Sequence, residues 1–394
     1  MRAAWALLVA SALLHLVVLA VWPGSAPVGT DIDVYRHGGL AVLHGAPLYT
    51  RPVDLGYVWT YSPFAALVMV PLGLVGVGLL IPLGMVLQVV LVLAVAAGVW
   101  HVESRTADRS WLTPAVVATA AAALWLEPVW LTIALGQVNL LLMAMVLLDL
   151  GRRDRPRWQG ALVGVAAGIK LTPLVFLPYL LITRRYRAAA TSVAAFAATI
   201  AVGFAVLPAD SSRFWTHTFF SADRVAPAST PGNQSIRGAL VRAGLEDRTL
   251  TLTWLALVAV VGVLGMVAAW LAWQRDRPAL STTLVGLTGA AISPFSWEHH
   301  WVWLLPLLVV LLAQGRRLAA AVVALLCAAW FVSSPAGGPE HQPPIGLFRL
   351  RLWSWSDAVT GNLFVLVCVV TLVAVVLGGL SRRRPPTSTD TLGA

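Results

Sequence analysis

The sequence predicts an all-α polytopic membrane protein, and three observations predict it. Only 11% of its residues are charged, against roughly 25% in soluble domains. Mean hydropathy is +0.81. Apolar stretches suited to spans of roughly 20 residues recur nearly end to end, so one polytopic domain is expected rather than two soluble ones. The net charge of +10 does not point to nucleic acid. Its arginines fall in short loops between apolar stretches, the pattern of cytoplasmic loops, and they also suit anionic lipid headgroups.

Twelve apolar segments can be drawn, at about 3–22, 63–79, 82–101, 112–126, 136–150, 160–182, 188–207, 251–273, 279–294, 301–313, 317–333 and 359–380. The first is long and lacks a clean small-x-small cleavage site, so it is expected to remain as an uncleaved span. Ser381-Arg382-Arg383-Arg384, Arg316-Arg317, Arg275-Asp276-Arg277 and Arg184-Arg185-Tyr186-Arg187 fall on one side by alternation. Arginine bias makes that side cytoplasmic. Loops 209–250, 293–300 and 334–358 then face outward, and Arg2 places loop 23–62 outward too. Alternation fails once, because it puts the 151–157 loop outside despite its four arginines. Either those arginines serve an outward site, or a segment between 112 and 182 is broken or re-entrant. A broken helix is tolerated where its backbone is buried in protein or lines a cavity. Cys327 and Cys368 sit in apolar segments and read as small core residues. The chain reads as a single domain over 1–384 with a polar, disordered cytoplasmic tail over 385–394.

Long ordered loops tend to carry function, and the two longest, 23–62 and 209–250, are on the outward side. The first holds Asp31 and Asp33, a D-x-D in a chain with few acids. Such a pair can hold a divalent metal against a sugar-nucleotide diphosphate, but no nucleotide sugar is expected outside. It can also be two solvated loop acids. The third reading is a general base that takes a proton from an acceptor hydroxyl, a task in which position matters more than basicity. A double displacement needs two carboxyls roughly 5 Å apart, which i and i+2 approach only in a strand. In a helix they diverge by roughly 200°. A single-base inverting step is the simpler reading, with no cofactor; a divalent metal at Asp31 and Asp33 is the alternative.

The run Ser293-Pro294-Phe295-Ser296-Trp297-Glu298-His299-His300-Trp301 places two histidines, an acid and tryptophans at an outward boundary. It fits an interfacial aromatic belt. It also fits an anion site, with His299 and His300 on a phosphate and Trp297 stacking on sugar or shielding the site. Adjacent histidines without a third ligand are a weak zinc signal. Lys170 lies inside an apolar segment, where an ionisable residue is costly and functional by default unless it snorkels to an interface. It is a candidate counter-charge for a lipid phosphate. Gln137 and Asn139 open a segment with amides that suit either interhelical hydrogen bonds or a ligand. Asn233, Gln234 and Arg237 lie in an amide- and hydroxyl-rich stretch suited to sugar hydroxyls.

Taken in order, these stretches resemble glycosyltransferase family 87. Asp31-Ile32-Asp33-Val34-Tyr35 with Gly45-Ala46-Pro47-Leu48-Tyr49 is similar to the family's first outward loop. Tyr61-Ser62-Pro63-Phe64, Gly136-Gln137-Val138-Asn139, Gly168-Ile169-Lys170-Leu171-Thr172-Pro173, Asn233-Gln234-Ser235-Ile236 and the run from Ser293 to Trp301 are similar to later ones. The resemblance implies a GT-C membrane fold and an α-(1→2)-mannosyltransferase of the cell envelope. It implies a polyprenol phosphomannose donor and a glycolipid acceptor such as a phosphatidylinositol mannoside or lipomannan. Carried over, Asp31 is the general base, and His299 or His300 contacts donor phosphate; from the residues themselves, Lys170 or Arg237 is read as an aid to that histidine. Asp33, Tyr35, Tyr61, Gln137, Asn139, Asn233, Gln234, Trp297 and Glu298 are the expected substrate contacts. A monomer in the plasma membrane, working on its outer face, is expected. The rival readings are a flippase for a lipid-linked saccharide, which predicts an internal repeat symmetry not visible here, and a non-catalytic assembly subunit.

Overall fold

The computed structural model describes residues 1–21, 28–53, 56–104, 110–220, 227–330, 346–347 and 357–380. Arginines 382–384, the 385–394 tail and most of loop 334–358 lie outside the described residues. The described chain is helical, with no named strand and two isolated β-bridges. The first half comprises α1 (Arg2–Val21), α2 (Thr30–Leu43), α3 (Pro63–Gly73), α4 (Val77–Glu103), α5 (Leu112–Ala123), α6 (Glu127–Leu135), α7 (Asn139–Leu150), α8 (Ala161–Ile169) and α9 (Phe176–Ile182). The second half comprises α10 (Tyr186–Val206), α11 (Pro208–Thr216), α12 (Ile236–Arg242), α13 (Asp247–Gln274), α14 (Pro278–Ile292), α15 (Leu304–Ala313), α16 (Arg317–Leu326), α17 (Asp357–Thr360) and α18 (Leu363–Leu380). Helices α4, α10 and α13 are long and apolar enough to cross a membrane. Cys327 and Cys368 are buried free thiols, as expected.

Two of the twelve apolar segments bear most on the path of the chain. Segment 63–79 contributes α3, whose 11 residues reach roughly 16 Å at 1.5 Å per residue, about half a hydrocarbon core. It packs against α2, where Gly39 lets the Met69 carbonyl approach. Segment 160–182 begins and ends at the same end of the bundle. Helix α8 runs parallel to α10, with Gly160 against the Ala188 backbone, Gly164 against Ser192 and Gly168 against Thr199. Since α9 stops at Ile182 and α10 starts at Tyr186, the chain has turned back between. The turn is at Lys170, which leaves helical geometry at φ −142 and ψ 127, followed by a 3-10 turn at Thr172–Val175 carrying Pro173. The Ser62 hydroxyl donates to the Gly168 carbonyl at this break.

That turn removes the conflict over the 151–157 arginines. Arg153 pairs with Asp276 at 3.6 Å, the Arg155 guanidinium lies 5.0 Å from the Trp273 ring centre, and Arg187 donates to the Pro156 carbonyl at 3.1 Å. The loop therefore shares an end with the 184–187 and 275–277 arginines, and the broken segment, rather than an outward arginine site, accounts for it. Asp149 fixes the start of α8, accepting from the Gly160 and Val163 amides at 2.7 and 3.0 Å, where a helix has unpaired N–H groups. The 3-10 turn at Glu298–Trp303 and helices α2 and α6 lie at the other end, α6 and α7 meeting at a bend of 117°.

Candidate active site

The site is assembled at chain breaks. Gly29 and Gly136 both hold left-handed geometry, with φ 80 and 73, which glycine adopts without steric cost. Gly29 donates to the Ala134 carbonyl at 2.8 Å, and Gly136 packs against Ile32. The first turn of α2 is thereby pinned beside the α6–α7 bend, and Asp31 meets Gln137. The side-chain amide of Gln137 lies beside the Asp31 carboxylate and favours its ionised form. Its oxygen accepts from the Tyr35 hydroxyl at 2.7 Å, and the Tyr35 and Tyr61 hydroxyls are 2.8 Å apart. Asp31 and Tyr35 are one helical turn apart and share a face. Asp33 does not. It faces Arg36 at 3.7 Å and His37 at 3.5 Å, so the two aspartates do not converge.

Lys170 joins this group to the histidines. Its ammonium donates to Asn139 Oδ1 at 2.9 Å, lies 2.9 Å from His300 Nε2 and 5.8 Å from the centre of the Tyr61 ring. An ammonium only donates, so His300 Nε2 accepts and its ring proton sits on Nδ1. The Asn139 amide donates to the His299 carbonyl at 3.0 Å, and the Thr132 hydroxyl reaches the same oxygen at 3.3 Å. His299 itself is 5% exposed, stacks on Trp297 with rings 6.2 Å apart, and has no hydrogen-bond partner on either ring nitrogen. Buried polar atoms are nearly always paired, so this imidazole is the group in the cluster most plainly short of a ligand.

The electrostatics suit a base facing an anion site. Burial pushes the Asp31 carboxyl up to about 6, with the Gln137 hydrogen bond and the Lys170 charge pulling the other way. Burial, then the Lys170 charge, lowers both imidazoles well below their usual range, so each is a neutral ring with one N–H to offer. Asn139, Lys170, Ser293, Ser296 and His300 line a cavity of about 50 Å³. Leu142, Val146, Phe176 and Trp303 are among its apolar walls, and it holds a few water volumes, not a full substrate. Among the described residues no three His, Cys, Asp or Glu side chains gather where they could share a metal ion.

Other expected contacts have different work. Asn233 donates to the Ala228 carbonyl at 2.9 Å and accepts from the Ser296 amide at 3.0 Å. Gln234 donates to Pro231 and Gly361 carbonyls at 2.9 and 2.8 Å and accepts from the Phe364 amide at 3.3 Å. Both amides therefore brace loop against loop and against α18. Glu298 is buried against Gly232, where any side chain would collide with its carboxylate. Arg237 is half-buried on α12, and among the described residues no hydrogen bond ties it to Lys170 or the histidines.

The model of Glycosyltransferase family 87 matches residues 59–294. The chain belongs to that family. A polyprenol-phosphate-mannose-dependent alpha-(1-2)-phosphatidylinositol mannoside mannosyltransferase of Mycobacterium tuberculosis is 35% identical over 326 residues, covering 78% of this chain and 76% of the relative. Its namesake in Mycolicibacterium smegmatis is 36% identical over 365 residues, covering 81% and 78%. A polyprenol-phosphate-mannose-dependent alpha-(1-2)-phosphatidylinositol pentamannoside mannosyltransferase of Mycobacterium tuberculosis is 34% identical over 369 residues, covering 89% and 82%. No solved structure matches.

In this family 87 chain the sequence reading missed Gln88 and Thr132. Gln88 donates to the Gln137 carbonyl at 2.6 Å from the middle of α4. A glutamine inside an apolar helix was the available signal, since such a residue needs a partner in lipid. Thr132 offered none, because its hydroxyl also bonds its own helix at Pro128.

Proposed function

We propose that this chain is a membrane mannosyltransferase that moves mannose from polyprenol phosphomannose to a mannosylated phosphatidylinositol-type glycolipid, forming an α-(1→2) bond with inversion. The observation that carries the reading is the Lys170 ammonium, which lies against His300 Nε2 on one side and over the Tyr61 ring of the Tyr35–Gln137 cluster beside Asp31 on the other. The names of the similar mycobacterial enzymes supply the donor and acceptor class.

In the proposed step, Lys170, His299 and the Nδ1–H of His300 meet the donor phosphate and take up its growing charge as leaving group. Asp31 accepts the proton of the acceptor hydroxyl while that oxygen bonds to the sugar carbon. The carbon–phosphate oxygen bond breaks with its electron pair on phosphate, so no general acid is required. Gln137, Tyr35 and Tyr61 hold Asp31 in place. The separation of Asp33 from Asp31 supports a single displacement without a metal bridge between them.

The architecture proposed is a GT-C membrane domain over 1–384, working as a monomer in the plasma membrane, with loops 23–62, 209–250 and 293–300 outward and 385–394 as a cytoplasmic tail. Because segment 160–182 returns to the end where it starts, the number of crossings is below the twelve that the apolar segments suggest. Purified protein given labelled donor and acceptor lipids tests the reading. A new glycosidic bond formed without ATP or an ion gradient is expected. Movement of donor across the bilayer with no such bond would refute the transferase.

A further inference from the structure

The end of the bundle away from Asp31 holds a second polar cavity, of about 360 Å³, within the roughly 300–1,000 Å³ of ligand pockets. Arg275, Arg277, Gln314 and Arg316 line it, with Leu280 and Val375 among its apolar walls. The arginines come from two turns, one after α13 and one after α15, and the C-terminal part of α18 closes a side. Arg277 is answered by the buried carboxylate of Glu103 at 2.8 Å. Asp276, between the first two arginines, turns away to Arg153. Arg275 donates to the Gly379 carbonyl at 2.8 Å, near the end of α18. Among the described residues the cavity lining holds three guanidinium groups and no carboxylate, with Glu103 behind Arg277. Beside it the outer faces of α13 and α18 expose Val267, Val373 and Leu377, a surface for acyl chains rather than water.

We propose that this cavity binds the phosphate headgroup of an anionic phospholipid in the leaflet that faces the basic loops. Basic pockets between helices at that level take such headgroups, and apolar walls running into a lipid-facing surface suit a headgroup with tails better than a free anion. The bound phosphate meets the guanidinium groups of Arg275 and Arg316 and ties the ends of α13, α15 and α18 together. The proposal does not depend on the transfer reaction, so either can fail alone.

Full-length protein in phosphatidylcholine nanodiscs, titrated with phosphatidylglycerol and read by native mass spectrometry, tests it. Wild type should retain one phosphatidylglycerol tightly. Arg316→Gln, an exposed position whose loss leaves the fold intact, should weaken that retention about fivefold, the worth of one basic side chain at an anionic surface. Arg317→Gln, the neighbour that does not line the cavity, should leave it unchanged. Equal retention by wild type and Arg316→Gln would overturn the site. Displacement of the lipid by equimolar inorganic phosphate would overturn its assignment to a lipid.

Discussion

Asp31 and Asp149 are both carboxylates held by amide groups, and they do opposite things. Asp149 is fully buried and both its oxygens accept backbone N–H groups at the start of α8. Every contact it makes is structural. Asp31 is half-buried, lies beside the side-chain amide of Gln137 and sits within the field of Lys170. The same contrast runs along the molecule. At the basic end, Glu103 and Arg277 satisfy one another; at the other, the His299 ring has no partner. The carboxylate bonded to backbone amides holds this fold. Asp31 instead stands among side chains in one cluster with an imidazole that has no partner, and that is where substrate is expected.

The contrast can be broken from either side. The largest effect is expected from Asp31→Asn, which removes the base: turnover should fall about 10²–10⁴-fold with an unchanged melting curve. Lys170→Gln should cost about 10²–10³-fold in kcat, the usual loss for one group stabilising a leaving charge, and steady-state kinetics would show it. His299→Ala should weaken donor binding, measured directly by titration, more than it alters the fold; normal donor affinity would remove His299 from the phosphate site. Asp149→Asn should do the reverse, costing about 1–3 kcal/mol of stability, visible as a lower melting temperature. Any activity loss should be no larger than the loss of folded protein. Asp33→Asn, whose partners are Arg36 and His37 on its own helix, should change turnover least.

The pH dependence sharpens the comparison. A base must be ionised to work, and burial places the Asp31 carboxyl at about 6. The value of kcat/KM, which reports groups of the free enzyme, should therefore fall as pH drops through about 6. In Asp31→Asn the residual rate should lose that limb. An unchanged limb would assign it to another group.

Much of this site was legible because its residues are out of place by type. Asp31 is an acid in a chain with few, Lys170 a charge in an apolar run, and His299-His300 a pair at a boundary. Types cannot say what a polar group is bonded to, so Asn233 and Gln234 looked like Gln137 and Asn139. Their amides brace loops, while the other two bond Tyr35, Lys170 and the His299 carbonyl. Helicity was legible from composition, but the path was not. The apolar run 160–182 reads as a span because hydropathy is blind to direction. The trace of its return was indirect, in the four arginines of 151–157 that alternation put on the wrong side. Gln88 was overlooked because its partner is a main-chain carbonyl, and no sequence pattern announces which carbonyl a bend exposes.

The most direct measurement is single-turnover transfer by purified Asp31→Asn with labelled donor and acceptor lipids, alongside a donor-binding titration of the same sample. Donor should bind with near wild-type affinity while transfer falls by about two orders of magnitude or more. Transfer at the wild-type rate would contradict the assignment of Asp31 as the base.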